Sequence, residues 1–157
     1  SKKISNEHAI IKSVIDDFIN KEILDKKQKI NIFVLYPTSI FVDKKLINKC
    51  NKMLKKTEYV TIVKKFPHPI QRALKFKNKK LEPLDIKKKV MRTQDLTDYY
   101  YNSGQIDCFK LNAWLKKKIF YKMNVKFIVL KDIESIDIDT PEDLKLAYKI
   151  FKLNKKN

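Results

Sequence analysis

An α/β fold is the class this sequence predicts, with strands and helices alternating in layers. Three observations predict it. Residues 30–35 (INIFVL) form a continuous apolar, β-branched run, the mark of a strand buried on both faces of a parallel sheet. A helical apolar stripe over 43–54 and a second β-branched run at 59–63 (YVTIV) follow it, which is the strand–helix–strand order of layered domains. The chain has 157 residues with no repeat and no Pro-, Gly- or Ser-rich linker, so it reads as one domain over 1–157.

Each element has its own signal. Ser5 or Asn6 can cap a helix over roughly 7–20, where Ile10, Ile11, Val14, Ile15, Phe18 and Ile19 recur on one face. After the strand at 30–35, Asp43 caps a helix that buries Leu46, Ile47, Cys50, Met53 and Leu54. Residues 70–76 and 81–84 flank the polar turn 77–80 (KNKK), a hairpin projecting from the sheet within 66–90. Strands are expected at 106–111 and, as a buried run, at 127–130, with a short helix over 112–118 between them. Thr140, Pro141, Glu142 and Asp143 make a helix start: a capping hydroxyl, proline at the first helical position, and acids in the first turn. Leu144, Ala147, Tyr148 and Phe151 are the expected buried stripe of that last helix.

Composition excludes several classes. Hydrophobic residues are 43% and charged residues 34%, a globular balance rather than a disordered one. The longest apolar run, 30–36, is interrupted by Asn31, far short of the roughly twenty residues of a membrane span. No apolar stretch follows the opening Ser-Lys-Lys, which argues against secretion and for the cytoplasm. Cys50 and Cys108 stand in apolar segments without a Cys or His nearby in sequence, and read as reduced core thiols. The net charge is +18, yet 34 of the 36 basic residues are Lys. Base reading and phosphate forks favour Arg, so the excess reads as a solvated surface rather than a nucleic-acid site.

Four segments carry chemistry. Tyr36, Pro37, Thr38 and Ser39 follow the first strand, where ligands of open α/β sheets bind; the plainer reading is a turn before the next helix. In FPHPIQRALKF (66–76), His68 sits between two prolines, and His68 or Arg72 could face an acidic group or be structural. Arg92, one of two arginines, stands in RTQDL (92–96) beside Gln94; it offers a planar fork for a carboxylate or phosphate, or makes a structural ion pair. Asp137 and Asp139 lie two residues apart in an extended stretch and so share a side. Hard oxygen ligands with no His or Cys nearby suit Mg²⁺; the alternative is that Asp139 helps cap the helix while Asp137 is solvated.

YPTS (36–39), FPHPIQRALK (66–75), RTQDL (92–96), NSGQ (102–105) and DIDTPED (137–143) together resemble the acylneuraminate cytidylyltransferase (CMP-sialic acid synthetase) family, nearest to its pseudaminic acid branch. The likeness runs from Ser5 to Tyr148. It implies a Rossmann-like nucleotidyltransferase three-layer sandwich with a small β-hairpin that forms a homodimer. It implies transfer of CMP from CTP to the anomeric hydroxyl of a nine-carbon 2-keto sugar acid, with release of pyrophosphate. Asp137 and Asp139 would then be catalytic Mg²⁺ ligands. Tyr36, Thr38, Ser39, Arg92, Gln94 and Gln105 would surround the sugar acid.

Two departures accompany the likeness. The family opens with a strand and a Gly-rich loop that cradles the CTP phosphates through backbone N–H groups. This chain has one glycine, Gly104, and its first helix matches one well inside the family pattern, so the expectation is a domain without its N-terminal part and inactive in isolation. Ile106, Asp107 and Cys108 also replace the aromatic residues usual after the Gln. Two competing readings are a non-catalytic remnant that keeps fold and dimer surface, and a basic polyanion-binding module.

Overall fold

The computed structural model describes residues 10–23 and 25–154. In chain order the elements are α1 (Ile11–Glu22), β1 (Asn31–Leu35), α2 (Lys44–Leu54), β2 (Tyr59–Lys65), β3 (Leu74–Lys77), β4 (Lys80–Pro83), α3 (Ile86–Lys89), β5 (Tyr100–Lys110), α4 (Leu111–Lys117), β6 (Val125–Val129) and α5 (Pro141–Asn154). Four strands form one sheet in the order β1-β5-β2-β6. β5 runs antiparallel to both β1 and β2, while β2 and β6 are parallel. β1, β2 and β6 therefore point the same way, and β5 is threaded between the first two in reverse. The hairpin β3–β4 is a separate two-stranded sheet.

Helices cover both sheet faces, making three layers. On one face Ile15 and Ile19 of α1 and Trp114 of α4 pack over Ile32, Tyr59 and Phe109. The rings of Phe109, Trp114 and Phe120 lie 5.0–5.4 Å apart, an offset aromatic cluster that closes this side. On the other face Cys50 and Leu54 of α2 pack over Val60, Ile62, Ile106 and Cys108. Cys50 and Cys108, distant in sequence, meet here: a hydrogen bond between the thiols lowers the Cys50 pKa, and that bond together with burial pushes Cys108 far up. Both are reduced and buried, as core thiols should be. Among the described residues no helix is long and apolar enough to cross a membrane.

Local signals work where they specify backbone ends. The Asp43 carboxylate accepts the Leu46 N–H at 2.7 Å and starts α2. Thr140 and Asp143 cap α5 reciprocally: the Asp143 carboxylate accepts from the Thr140 N–H (2.9 Å), and the Thr140 hydroxyl oxygen accepts the Asp143 N–H (3.2 Å). The turn of the hairpin places Asn78 and Lys79 at φ 52° and 61°, the paired positive φ of a tight two-residue connection. For α1, the predicted capping residues Ser5 and Asn6 lie outside the described residues.

Burial is where expectation and structure part. β1 is not buried on both faces of a parallel sheet: among the described residues its one strand neighbour, β5, is antiparallel, and Ile32 alone in the strand is buried. β6 is likewise an edge strand in which only Ile128 is buried and Phe127 is 54% exposed. In α5 only Ala147 of the expected stripe is buried, while Leu144 and Tyr148 are more than half exposed. An apolar run identifies which residues share a face; what lies against that face is decided elsewhere in the fold.

Candidate active site

The parallel strands β1, β2 and β6 deliver their C-terminal ends to one rim of the sheet, and Thr38, Ser39, Gln105 and Asp137 of the predicted residues gather there. After β1 the chain turns at once, with the Ser39 N–H bonded to the Tyr36 carbonyl at 2.9 Å. The Ser39 hydroxyl donates to the Gln105 carbonyl on β5, tying the turn to the neighbouring strand. Thr38 is half-buried in the same turn. The plainer reading of this segment, a turn that leads into a helix, is thus realised; its hydroxyls hold the rim together.

Gly104 turns the backbone of β5 where Asp137 lies against it. Its φ is +64°, a region that favours glycine, and a Cβ built there would sit 3.6 Å from an Asp137 carboxylate oxygen. Gln105 is fully buried and donates weakly to the carbonyls of Ser103 (3.4 Å) and Ile136 (3.5 Å), which fastens the 135–139 segment to β5. Its Oε1 and the Ser135 hydroxyl are buried without a hydrogen-bond partner. From β2, Lys64 donates to the Ser135 carbonyl at 3.0 Å and brings a cation beside the same segment. Asp137 and Asp139 are both exposed. The Asp139 N–H donates to Asp143 at 3.3 Å, so Asp139 joins the cap through its backbone and leaves its carboxylate to solvent. Hydrogen bonds from Thr140 hold the Asp143 carboxyl below the usual range. Among the described residues no group of three or more His, Cys, Asp or Glu could hold a metal. Two exposed carboxylates fit Mg²⁺ that completes its shell with water and substrate phosphate oxygens.

Asp107 is the residue that sequence reasoning passed over as a departure. It is 2% exposed in the middle of β5 and accepts hydrogen bonds from the hydroxyls of Tyr59 (2.6 Å), Thr61 (2.7 Å) and Tyr36 (3.1 Å) and from the Asn102 amide (3.3 Å). Burial, then the Asp107 charge, pushes the Tyr36 and Tyr59 phenols above their ordinary range. The signal was legible: a lone acid inside an apolar strand, with hydroxyl residues on the strands that flank it. Tyr36 thereby turns its hydroxyl inward to Asp107.

The other predicted residues lie apart. Arg92 is exposed and pairs with Asp95 through Nε at 2.9 Å and Nη2 at 3.4 Å, the structural ion pair weighed above. Arg72 donates to the Thr93 hydroxyl at 3.1 Å. Gln94 lines a cavity of about 580 Å³ with Lys65, Phe66, His68, Asp98 and Tyr99. Among the described residues no hydrogen bond joins Arg92 or Gln94 to either aspartate. At the end of β2, Lys64 reaches the aspartate segment and its neighbour Lys65 lines this cavity.

No protein-family model matches the chain. Two curated proteins from Campylobacter jejuni strains, each a pseudaminic acid cytidylyltransferase, are 28% and 27% identical over 158 aligned positions. The alignments cover 98% of this chain and 67% of each relative. Its homologues are pseudaminic acid cytidylyltransferases. The chain spans about two-thirds of the length of these cytidylyltransferases, and the family likeness read from the motifs holds along nearly all of it. Among solved structures, 4-diphosphocytidyl-2C-methyl-D-erythritol synthase from Anaerococcus prevotii superposes with a TM-score of 0.51 at 13% identity. That superposition covers 89% of this chain and 76% of the synthase. At that identity the likeness speaks for the fold, and it bears out the Rossmann-like layering expected of a cytidylyltransferase.

Proposed function

We propose that this chain is the sugar-acid and metal portion of a CTP-dependent cytidylyltransferase acting on pseudaminic acid or a close relative. The observation that carries the reading is the approach of the Asp137 carboxylate to Gly104, beside a helix start where the Asp143 carboxylate already serves as the cap. In the proposed reaction the anomeric hydroxyl oxygen of the sugar acid attacks the α-phosphorus of CTP. The bond from the α-phosphorus to the oxygen bridging to the β-phosphate breaks, pyrophosphate leaves with that oxygen, and the hydroxyl proton passes to solvent water. Asp137 and Asp139 would hold Mg²⁺, which supplies charge neutralisation at the phosphates and acidifies the attacking hydroxyl. Lys64 adds positive charge next to them and keeps the 135–139 segment against the sheet. Gln94, with the cavity beneath the 66–69 loop, is assigned to the body of the sugar acid. Arg92 is assigned to its carboxylate, which requires exchanging the Asp95 partner for the ligand. Such transfer depends mainly on positioning and charge, and the phosphate-cradling loop it also needs is expected from outside this chain.

The hairpin is assigned to a homodimer. Phe76 (73%), Leu81 (64%), Ile86 (73%) and Val90 (85%) are exposed together on β3, β4 and the short α3 segment. The test of the reaction is pyrophosphate release with CTP, Mg²⁺ and a panel of pseudaminic, legionaminic and neuraminic acids. It is run on this chain joined to the part of the C. jejuni relative that has no counterpart in it. Turnover with one of the acids supports the reading; release no faster than without enzyme for all of them favours the non-catalytic remnant.

A further inference from the structure

The hydrogen bonds of Asp107 lead out of the core to the aspartate segment. Thr61 of β2 pairs with Asp107 and Val63 with Asn102, so residues 103–106 of β5 stand across from Ile62 alone. β5 therefore carries an enlarged bulge here, the kind of irregularity that re-aims a strand beside a site. Gly104 lies in the bulge, and the Asp137 carboxylate oxygens come to 3.6 and 3.8 Å from where its Cβ would be. Side chains hold the bulge in shape. Asn102 Oδ1 accepts the Gly104 N–H at 2.8 Å, and the Ser103 hydroxyl donates to the Ile62 carbonyl at 3.2 Å. Across the base of the bulge the Asn102 amide donates to Asp107 at 3.3 Å and to the Thr61 hydroxyl oxygen at 3.1 Å.

We infer that Asp107 is a positioning residue for Asp137: through Asn102 it fixes the Gly104 bulge against which the Asp137 carboxylate stands. The inference rests on the metal-binding role proposed for Asp137. An amide side chain has one donor end and one acceptor end. The carboxylate of Asp107 accepts, so it takes the donor end of Asn102 and leaves Oδ1 for the Gly104 N–H. Asp107 is itself held on both oxygens. The Tyr59 and Thr61 hydroxyls donate to one at 2.6 and 2.7 Å, and the Tyr36 hydroxyl donates to the other at 3.1 Å. Burying a carboxylate in a strand costs free energy that an apolar residue would avoid. Here it sets the orientation of the one side chain that joins the core to the bulge. Groups that orient a metal ligand from behind commonly change affinity by about ten- to a hundredfold when removed.

Gly104 is the only glycine in the chain, so cell-free synthesis with ¹⁵N-glycine gives a single amide signal, placed at the bulge. Mn²⁺, which suits the same carboxylate and water ligands as Mg²⁺, serves as a paramagnetic probe. In the wild-type chain Mn²⁺ should erase the Gly104 signal, and Asp137→Asn should restore it. Asp107→Leu should raise the Mn²⁺ concentration needed by at least about tenfold and speed hydrogen exchange of the Gly104 amide. Asn102→Ala, at an exposed position, cuts the same link while Asp107 keeps Tyr36, Tyr59 and Thr61, and should have the same two effects. Tyr59→Phe removes a different bond to Asp107, so it should lower the unfolding midpoint and leave the Mn²⁺ response unchanged. A wild-type Mn²⁺ response retained in Asn102→Ala, or in a folded Asp107→Leu, overturns the inference and leaves Asp137 in its proposed role. An equal loss in Tyr59→Phe also overturns it, because the effect would then follow stability alone. No Mn²⁺ response in the wild-type chain removes Asp137 from the metal site and overturns both readings.

Discussion

The strands around Asp107 and the arm formed by β3, β4 and α3 draw on the same lysine-rich, apolar composition and use it in opposite ways. In the sheet, β5 buries six of its eleven residues, and even the acid among them is satisfied by neighbours on both sides. In the arm, every residue of β3 is exposed, and Phe76, Ile86 and Val90 stand in solvent by more than seven-tenths. Both regions are ordered by local backbone bonds. Only the sheet is also ordered by burial. The lesson is that apolar content alone does not make a core; a second layer must be within reach, and the arm projects beyond it. Its apolar residues are therefore available to another surface.

The sharpest way to break this contrast is to remove the carboxylate at its centre. Asp107→Ala leaves the buried hydroxyls of Tyr59 and Thr61 without their acceptor and should cost about 3 kcal/mol or more in urea unfolding. A loss below about 1 kcal/mol would mean that water replaces the carboxylate and that the network is not structural. The same region predicts a pH effect. Because the folded protein raises the Tyr36 and Tyr59 phenols above their ordinary range, the fold favours their neutral forms. Stability from this source is complete below about pH 10 and is lost as pH rises beyond it. Tyr59→Phe should flatten that decline, measured as unfolding midpoints between pH 8 and 11.

Next come the rim residues, where the effect is on chemistry rather than folding. In an active, length-restored enzyme, Asp137→Asn should lower turnover on the order of a hundredfold with the unfolding midpoint unchanged, since its carboxylate is exposed. Near-normal turnover would remove Asp137 from the metal site. Arg92→Lys should weaken sugar-acid affinity about tenfold, the scale of one charge-assisted contact, while the loss of an exposed ion pair to Asp95 costs under about 1 kcal/mol of stability. Unchanged affinity would leave Arg92 with the ion pair as its whole role.

Much of this was legible in the residues. Asp43 and Thr140 announce helix starts because a cap is a short-range hydrogen bond between neighbours in sequence. The 77–80 turn is legible for the same reason, as is the gathering of Ser39, Gln105 and Asp137 at the strand ends once the strands are placed. The direction of β5 was not legible, because a period-2 pattern is the same whichever way a strand runs. The exposure of Phe127, Leu144 and Tyr148 was hidden for a related reason: amphipathic spacing names a face and is silent on what meets it. Asp107 was visible as an acid in an apolar strand, but its meaning depends on Tyr36 and Tyr59 arriving from β1 and β2, a long-range fact.

The smallest expected effect on the fold belongs to the arm, and it closes the comparison. Phe76→Lys replaces an apolar ring that is 73% exposed, opposite Leu81 of β4, itself exposed. Within one chain the ring contributes little, so unfolding should shift by no more than about 0.5 kcal/mol. If the arm serves as the surface between two copies, the same substitution puts a charge into that contact, where removing a buried aromatic commonly costs on the order of 2 kcal/mol or more of binding. The protein should accordingly be a dimer by light scattering at tens of micromolar, roughly the range in which a modest interface is populated, and the Phe76→Lys variant a monomer. A wild-type monomer at that concentration would show that the exposed arm has no partner in a second copy. A dimer untouched by Phe76→Lys but broken by a charge on β1 would move the self-contact from the arm to the sheet edge. Either result separates a surface that is merely uncovered from one that is built to be covered.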